Sequence, residues 1–337
     1  MAKKKAKKSA SKVQETPGLA FETPILEMEQ KISELKSLAA STHFDLNGEI
    51  KALEERLKKK MKEVYSKLTP WDRVNVARHP DRPVTVDYIE HMLDEFIELY
   101  GDRYFGDDKA IVTGFAKMDG VRFLLVGHRK GKDTKERLMC NFGCAHPEGY
   151  RKAIAKMKLA EKLKLPIVTL INTPGAYPGI GAEERGQARA IAYNIMEMFR
   201  LKVPIICVVI GEGGSGGALG IGVGDRVLIL EHAYYSVISP EGCAAILWKS
   251  GEKAPEAAEA LKLTSENLLE LGIVDEIIPE PLGGAHRDPK GTIMAVKSAI
   301  LKHLNELNSI PIDKLIDERH KKFRKIGKPL EVDEDSQ

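Results

Sequence analysis

Two short apolar runs repeat each other along the chain, Pro166-Ile167-Val168-Thr169-Leu170-Ile171 and Pro204-Ile205-Ile206-Cys207-Val208-Val209. Each is continuous rather than alternating, the pattern of a strand buried on both faces. Nine positions after each proline stands a glycine, Gly175 in Asn172-Thr173-Pro174-Gly175-Ala176-Tyr177-Pro178-Gly179 and Gly213 in Gly211-Glu212-Gly213-Gly214-Ser215-Gly216-Gly217. Both runs therefore predict a buried strand that stops in a turn poor in side chains, with a helix following. Such a turn lets backbone N–H groups approach a ligand closely, and a helix N-terminus adds positive partial charge. Two in tandem predict paired sites for stabilising an oxyanion.

The remaining pattern places these runs in an α/β chain. Apolar residues step by three and four at Ile25, Met28, Ile32, Leu35 and Leu38, and again at Ile50, Leu53, Leu57, Met61, Val64 and Leu68. This predicts two amphipathic helices, broken near Asn47-Gly48, that pack as a hairpin. Residues 69–86, rich in Pro, Arg and His, read as a linker, followed by a helix from Val86 to Tyr100. Ile111–Met118 and Val121–His128, joined by Asp119-Gly120, form a strong hairpin signal. From Tyr150 onward helix and strand alternate, with helices at 150–164, 183–200, 217–223, 243–250 and 255–271, and strands at 166–171, 204–210, 227–230, 234–238 and 273–278. Two helices, 290–308 and 312–324, precede an acidic end. Right-handed crossovers are expected.

Composition adds limits. At 337 residues with 43% apolar and 30% charged positions, the chain can bury a sizeable core. Its longest apolar runs, about eight residues, are too short to span a bilayer, and no signal-peptide core follows the Lys-rich start. The net charge of +3 is set by Lys3, Lys4, Lys5, Lys7, Lys8 and Lys12; residues 13–337 carry −3. The head reads as a solvated tail, which disfavours nucleic acid as a partner. Cys140, Cys144, Cys207 and Cys243 show no disulfide spacing, so a reduced, cytoplasmic setting is expected. The chain divides on this reading into a tail (1–20), a helical hairpin with linker (21–86), a main domain (87–325) and an acidic tail (326–337).

Three motifs compete for the chemistry. Gly211-x-Gly213-x-x-Gly216 follows a strand and Glu231 lies 20 residues on, as in a dinucleotide site, but only about ten glycine-rich residues separate it from the strand at Val227. Gly213-x-Ser215-x-Gly217 satisfies the nucleophile-elbow pattern, with Asp225 or Asp275 and His286 downstream, yet nothing ties that histidine to Ser215. Cys140, Cys144 and His146, with His128 as a fourth candidate, do not make a closed zinc pattern. No convincing nucleophile or general base emerges. Two anion-stabilising turns without one suit a reaction in which the substrate or cofactor brings its own base.

The stretch Asn172–Gly179 with Gly181-Ala182-Glu183-Glu184-Arg185-Gly186-Gln187, then Gly211–Ala218, then Tyr235-Ser236-Val237-Ile238-Ser239-Pro240-Glu241-Gly242-Cys243-Ala244, closely resembles the carboxyltransferase alpha subunits of bacterial acetyl-CoA carboxylases. Pro147-Glu148-Gly149-Tyr150-Arg151-Lys152-Ala153 and Pro279-Glu280-Pro281-Leu282-Gly283-Gly284-Ala285-His286 extend the resemblance, which covers residues 20–325. It implies a crotonase-like fold (the Clp protease/crotonase spiral of ββα units) and half of an active site. A homologous beta subunit, carrying the zinc, would supply the other half in an α2β2 tetramer. The implied reaction moves a carboxyl group from carboxybiotin, held on a biotin carboxyl carrier protein and charged by a biotin carboxylase, to acetyl-CoA, giving malonyl-CoA. By motif, Gly216 and Gly217 would donate to the biotin ureido oxygen, with Gly175 and Ala176 as opposing wall and second donor. Gly213, Gly214, Tyr177 and Ala218 would line the substrate, Tyr177 as a wall. No metal is expected on this chain. Two other readings stand beside it: a noncatalytic scaffold that keeps this fold, and a serine hydrolase using Ser215.

Overall fold

The computed structural model describes residues 19–41 and 45–327, so the Lys-rich head and nearly all of the acidic end lie outside the described residues. A boundary between two compact units falls after Ser66. The first holds helices α1 (Thr23–Ser41) and α2 (Asn47–Tyr65), the expected hairpin. Their seam is narrow. Ile25, Ile32 and Ile50 are buried, whereas Leu38 is 49% exposed. Phe21 meets the edge of Tyr65, whose hydroxyl donates to Glu22 at 2.8 Å, and Lys36 pairs with Glu54 across the helices.

The second unit corrects the linker. Thr69 and Asp72 form a capping box around Pro70, starting α3 (Pro70–Ala77), and α4 runs Thr85–Met92. The helix expected to reach Tyr100 stops early. Leu93 turns extended, and β1 (Glu95–Glu98) adds to a sheet edge with Phe96 opposite Ala116. The predicted hairpin forms as β2 (Ile111–Met118) and β3 (Val121–His128), with Asp119 and Gly120 both at positive φ as a tight hairpin turn needs. Between β3 and the next strand come α5 (Thr134–Met139), absent from the sequence reading, and α6 (Pro147–Lys162).

Strands β4 (Ile167–Thr173) and β5 (Ile205–Gly214) are the two repeated runs, and every residue of both is buried. They pair in parallel, Ile167 with Ile205, Val168 with Ile206 and Thr169 with Cys207, so the repeat in sequence is a repeat in space. Between them lie α7 (Ile180–Glu184) and α8 (Gln187–Met198), separated by Gly186 at φ 80°, where one helix was expected. The chain continues through α9 (Ser215–Leu219), β6 (Arg226–Leu230), β7 (Tyr234–Ser236), α10 (Pro240–Trp248), α11 (Ala254–Ala260), α12 (Ser265–Glu270) and β8 (Glu276–Ile278). Helices α13 (Pro289–Asn308) and α14 (Ile312–Lys325) end the described chain.

The sheet order is β1-β2-β3-β4-β5-β6-β8, antiparallel up to β3 and parallel beyond. Strand β7 pairs with the far end of β5, Glu212 opposite Tyr234 and Gly214 opposite Ser236. A fully buried ion pair fastens the opposite end. Arg319 of α14 grips both oxygens of Asp225 at 2.8 Å and donates to the carbonyls of Met198, Leu201 and Val203.

Candidate active site

The two turns do not correspond residue for residue. Up to Ile171 and Val209 the strands run in register, but Thr173 then pairs with Gly213, so β5 has two extra residues at its end. Gly213 and Gly214 therefore belong to the strand. A Cβ on Gly213 would lie 2.9 Å from the Tyr235 ring, and one on Gly214 would run into the Pro174 carbonyl. Close packing accounts for both glycines. The turn proper begins at Ser215, held at φ 49°, and opens directly into α9.

The two turns meet at Gly217. A Cβ there would lie 2.6 Å from the Ala176 nitrogen and against the Gly175 carbonyl, so only glycine permits this approach. The ligand-facing groups differ in number. In the first turn of α9 the N–H groups of Gly216 and Gly217 have no partner within the helix, and no acceptor outside it among the described residues takes them. In the first turn the Gly175 N–H is bound to Thr173 Oγ1 at 3.1 Å, and the Tyr177 N–H to the Ala145 carbonyl at 3.0 Å. Only the Ala176 N–H is left. The N–H left unbonded in this turn is thus that of Ala176, not of Gly175. A Cβ on Gly175 meets nothing within 4 Å, and one on Gly216 meets only Ile191, at 3.7 Å. These are the open faces, where a ligand has room.

Supporting groups surround the turns. Tyr150 is buried and donates to the Gly217 carbonyl at 3.3 Å; the Gly220 N–H donates to the Gly216 carbonyl at 2.9 Å. His128 is fully buried, and burial pushes its imidazole down to about 3 while the Gly217 backbone pulls the other way. It is uncharged at neutral pH. Tyr177 stacks on His146 with centroids 4.1 Å apart, and Gln187 Nε2 donates to the Ala145 and Tyr177 carbonyls. Tyr177 is thus held against an imidazole face. Ala218 is fully buried, with its side chain away from solvent.

Below the second turn lies a charged anchor that sequence reasoning missed. The carboxylate of Glu212 accepts from Arg78 at 2.7 Å, from the Tyr234 hydroxyl at 2.9 Å and from Lys130. Arg78 also reaches Glu241 at the start of α10. Burial alone would raise the Glu212 carboxyl; Lys130 and Arg78 hold it below the usual carboxylate range. Asn172 Oδ1 accepts the Glu212 N–H at 3.2 Å and so ties β4 to the same point. Arg78 lay in the stretch read as a linker, and the helix-start signal at Thr69-Pro70-x-Asp72 could have rescued it.

The competing motifs dissolve. Asp225 is locked to Arg319, Asp275 accepts from Lys322 and from Val227 N–H, and His286 stacks on His79 at 4.0 Å. None of them serves Ser215. The dinucleotide pattern fails because Gly211 and Gly213 lie within β5 and α9 has five residues. Glu231 is occupied, accepting the Glu280 N–H. Among the described residues, no group of three metal-ligand side chains includes Cys140, Cys144, His146 or His128.

Comparison with known proteins agrees with this geometry. Residues 18–327 match the family described as acetyl co-enzyme A carboxylase carboxyltransferase-like. The acetyl-coenzyme A carboxylase carboxyl transferase subunit alpha of Rhodopirellula baltica is 56% identical over 94% of this chain and 98% of its own length. A subunit alpha of the same description from Thermus thermophilus is 56% identical over 92% of this chain and 98% of its own. Among solved structures, transcarboxylase 12S matches with a TM-score of 0.53 at 24% identity, covering 66% of this chain and 41% of that one. A Pseudomonas malonate decarboxylase hetero-tetramer solved with coenzyme A matches at 0.53 and 17%, covering 64% and 86%. Both share the α/β fold of this chain. With a match that runs almost from end to end of the described residues, the chain belongs to the acetyl-CoA carboxylase carboxyltransferase family.

Proposed function

We propose that this chain is the alpha half of an acetyl-CoA carboxylase carboxyltransferase. With a beta subunit it transfers the carboxyl group from carboxybiotin on a carrier protein to acetyl-CoA, forming malonyl-CoA. The observation that carries this reading is the pairing of the free N–H groups at Gly216 and Gly217 with that of Ala176 across a contact only glycine allows. Biotin fits these residues, since the open faces of Gly175 and Gly216 leave room for a ring beside unused donors. Carboxybiotin held by these residues would supply the transferable carboxyl group, with negative charge developing on its ureido oxygen as the group departs. Donors fixed where that charge develops lower the barrier, one such donor being worth about 3 kcal/mol. Tyr150 and Gly220 hold the neighbouring carbonyls, so the N–H groups need no reorganisation as the charge forms.

The absence of a placed nucleophile around Ser215 fits a reaction whose base arrives with biotin. The partner fits the surface: Val237 is 74% exposed, Ile246 and Leu247 each 62%, and Trp248 40%, an apolar patch on and beside α10. A beta subunit covering it, in an α2β2 assembly, would bring the thioester site and the zinc. No helix among the described residues is long and apolar enough to cross a membrane, and a cytoplasmic enzyme is the reading that goes with fatty-acid synthesis. The test is reconstitution with the beta subunit, assaying malonyl-CoA-dependent carboxylation of biotin. Turnover by the complex and none by either chain alone is expected. An assembled but inactive complex, or full activity of this chain alone, would overturn the reading.

A further inference from the structure

A second concave region lies on the outer helices. A cavity of about 670 Å³ opens between α6 and α8, lined by Tyr104, Arg151, Lys158, Arg185, Arg189 and Tyr193 together with small and apolar residues. No carboxylate lines it. The acids that balance its cations stand behind them. Asp102, with its side chain fully buried, accepts from Arg151 at 2.8 Å; Glu148, 7% exposed, takes Arg185 at 2.9 Å; Glu197, 15% exposed, takes Lys158 at 2.6 Å. The cations thus face the cavity, pre-oriented by buried partners. Arg189 is different: it is exposed and makes no hydrogen bond or ion pair among the described residues.

Two features narrow the ligand. Asp102 Oδ1 also accepts the N–H groups of Tyr104, Phe105 and Gly106, which fixes the loop that brings Tyr104 to the rim. Tyr193, whose hydroxyl meets Lys158 at 2.6 Å, forms the facing wall. Gly186, the cap of the twelve-residue α8, also lines the cavity and offers no side chain to take up the first N–H groups of that helix. Cations for phosphate, two aromatic rings for a base, and a volume in the range of small-molecule sites together describe one chemistry.

We infer that the α6/α8 cavity binds the diphosphate end of a nucleotide, with its phosphates on Arg189, Arg185 and Lys158 and its base against Tyr104 or Tyr193. That chemistry has two sources, the nucleotide end of the coenzyme A thioester or a free nucleoside diphosphate. Binding to the cavity stands independently of the catalytic turns; only the thioester source rests on the proposed function.

The test is calorimetry on the full chain and on its complex with the beta subunit, using ADP, adenosine and coenzyme A as probes. ADP should bind and adenosine should bind at least roughly tenfold more weakly, because phosphate contacts dominate. Arg189→Ala should weaken ADP binding by about tenfold with an unchanged melting temperature, since the side chain is exposed. Lys158→Met provides a second variant that should weaken ADP binding similarly, with a lower melting temperature because Glu197 loses this partner. If Arg189→Ala also raises KM for acetyl-CoA at constant kcat, and coenzyme A displaces ADP, the thioester is the source. If ADP binding falls and KM does not move, the source is a free nucleotide. The inference is overturned if neither ADP nor coenzyme A binds at millimolar concentration, or if both bind the variants as well as the wild type. It is equally overturned if Arg189→Ala weakens only association with an acidic carrier protein. Loss of turnover with ADP binding intact would count against the catalytic reading alone.

Discussion

The turns after β4 and β5 begin as copies and end as different devices. Their strands pair position by position through Ile171 and Val209, and then β5 runs two residues further. The first turn leaves its strand as an open loop, and six residues pass before α7 begins at Ile180. Ala145 and Gln187 hold it at Tyr177, and from within it is held by Thr173 Oγ1, which donates to the Gly175 carbonyl and accepts the Gly175 N–H. That bond uses up a donor. The second turn leaves β5 straight into a helix, keeps its N–H groups unused and is anchored from below by Glu212, Arg78 and Lys130. The same strand ending thus yields a wall with one donor on one side and a dipole-backed donor set on the other. An anchor outside the turn leaves its amides unbonded, and an anchor inside it spends one.

The comparison breaks most sharply at the contact between the turns. Gly217→Val, assayed in the complex with the beta subunit, should lower turnover by at least about 10²–10³-fold, the scale of a lost oxyanion donor. Its branch would occupy the space of Gly175 and the Ala176 nitrogen. Gly216→Ala should cost much less, because that face is open except for Ile191. Equal losses in both variants, with assembly intact by size-exclusion chromatography, would show that the turns do not meet as described.

The anchors come next. Glu212→Gln leaves Lys130 and Arg78 around a neutral group and should destabilise the fold by roughly 3–5 kcal/mol, the range for breaking a buried ion pair. Thr173→Val removes one neutral hydroxyl and should cost about 1–3 kcal/mol. Denaturant unfolding of both variants reads the difference. If Thr173→Val costs as much as Glu212→Gln, the contrast between an inner and an outer anchor fails.

Much of this contrast is legible in the sequence, and the part that is not has a physical reason. Buried runs such as Ile167–Leu170 announce strands because they are short, rich in β-branched residues and preceded by proline, and the pairing of Ile167 with Ile205 follows the repeat. The glycines are legible as a set, but their duties are not. Whether a missing Cβ serves a ligand, as at Gly216, or a neighbouring backbone, as at Gly214, depends on what stands opposite. Spacing suggests that Gly175 and Gly213 are equivalent; the two-residue extension of β5 breaks that equivalence, and the residue that meets Gly175 is Gly217, four positions beyond Gly213. The ion cluster is invisible for the same reason. Arg78, Lys130, Glu212 and Glu241 lie in four separate parts of the chain, and charge alone does not say which charges will be buried together.

A gentler probe of the second turn is pH. Folding lowers the His128 imidazole from its ordinary 6.5 to about 3, burial being the main cause. Between these values the unfolded chain binds a proton that the folded one refuses, so stability is greatest above 6.5 and falls as pH drops toward 3. His128→Gln should flatten that slope, whatever it does to stability at neutral pH. Urea unfolding at a series of pH values compares the two slopes. An unchanged slope in the variant would mean that His128 is not the buried neutral group behind Gly217.

The smallest effect is expected at the residue that a motif search would rank first. Ser215 sits between Gly214 and Gly216, where an elbow nucleophile would stand, at φ 49°. No hydrogen bond reaches its hydroxyl among the described residues, and the groups that could complete a triad are engaged elsewhere: Asp225 with Arg319, Asp275 with Lys322, and His286 against His79. Its backbone shapes the entry to α9, and its side chain lines an apolar hollow with Leu219, Tyr235 and Phe323. Ser215→Ala should therefore keep carboxyl transfer within roughly threefold of the wild type, and the wild type should resist labelling by a fluorophosphonate. Loss of about three orders of magnitude, the mark of a deleted triad member, would make the second turn a nucleophile elbow and end the comparison with the first.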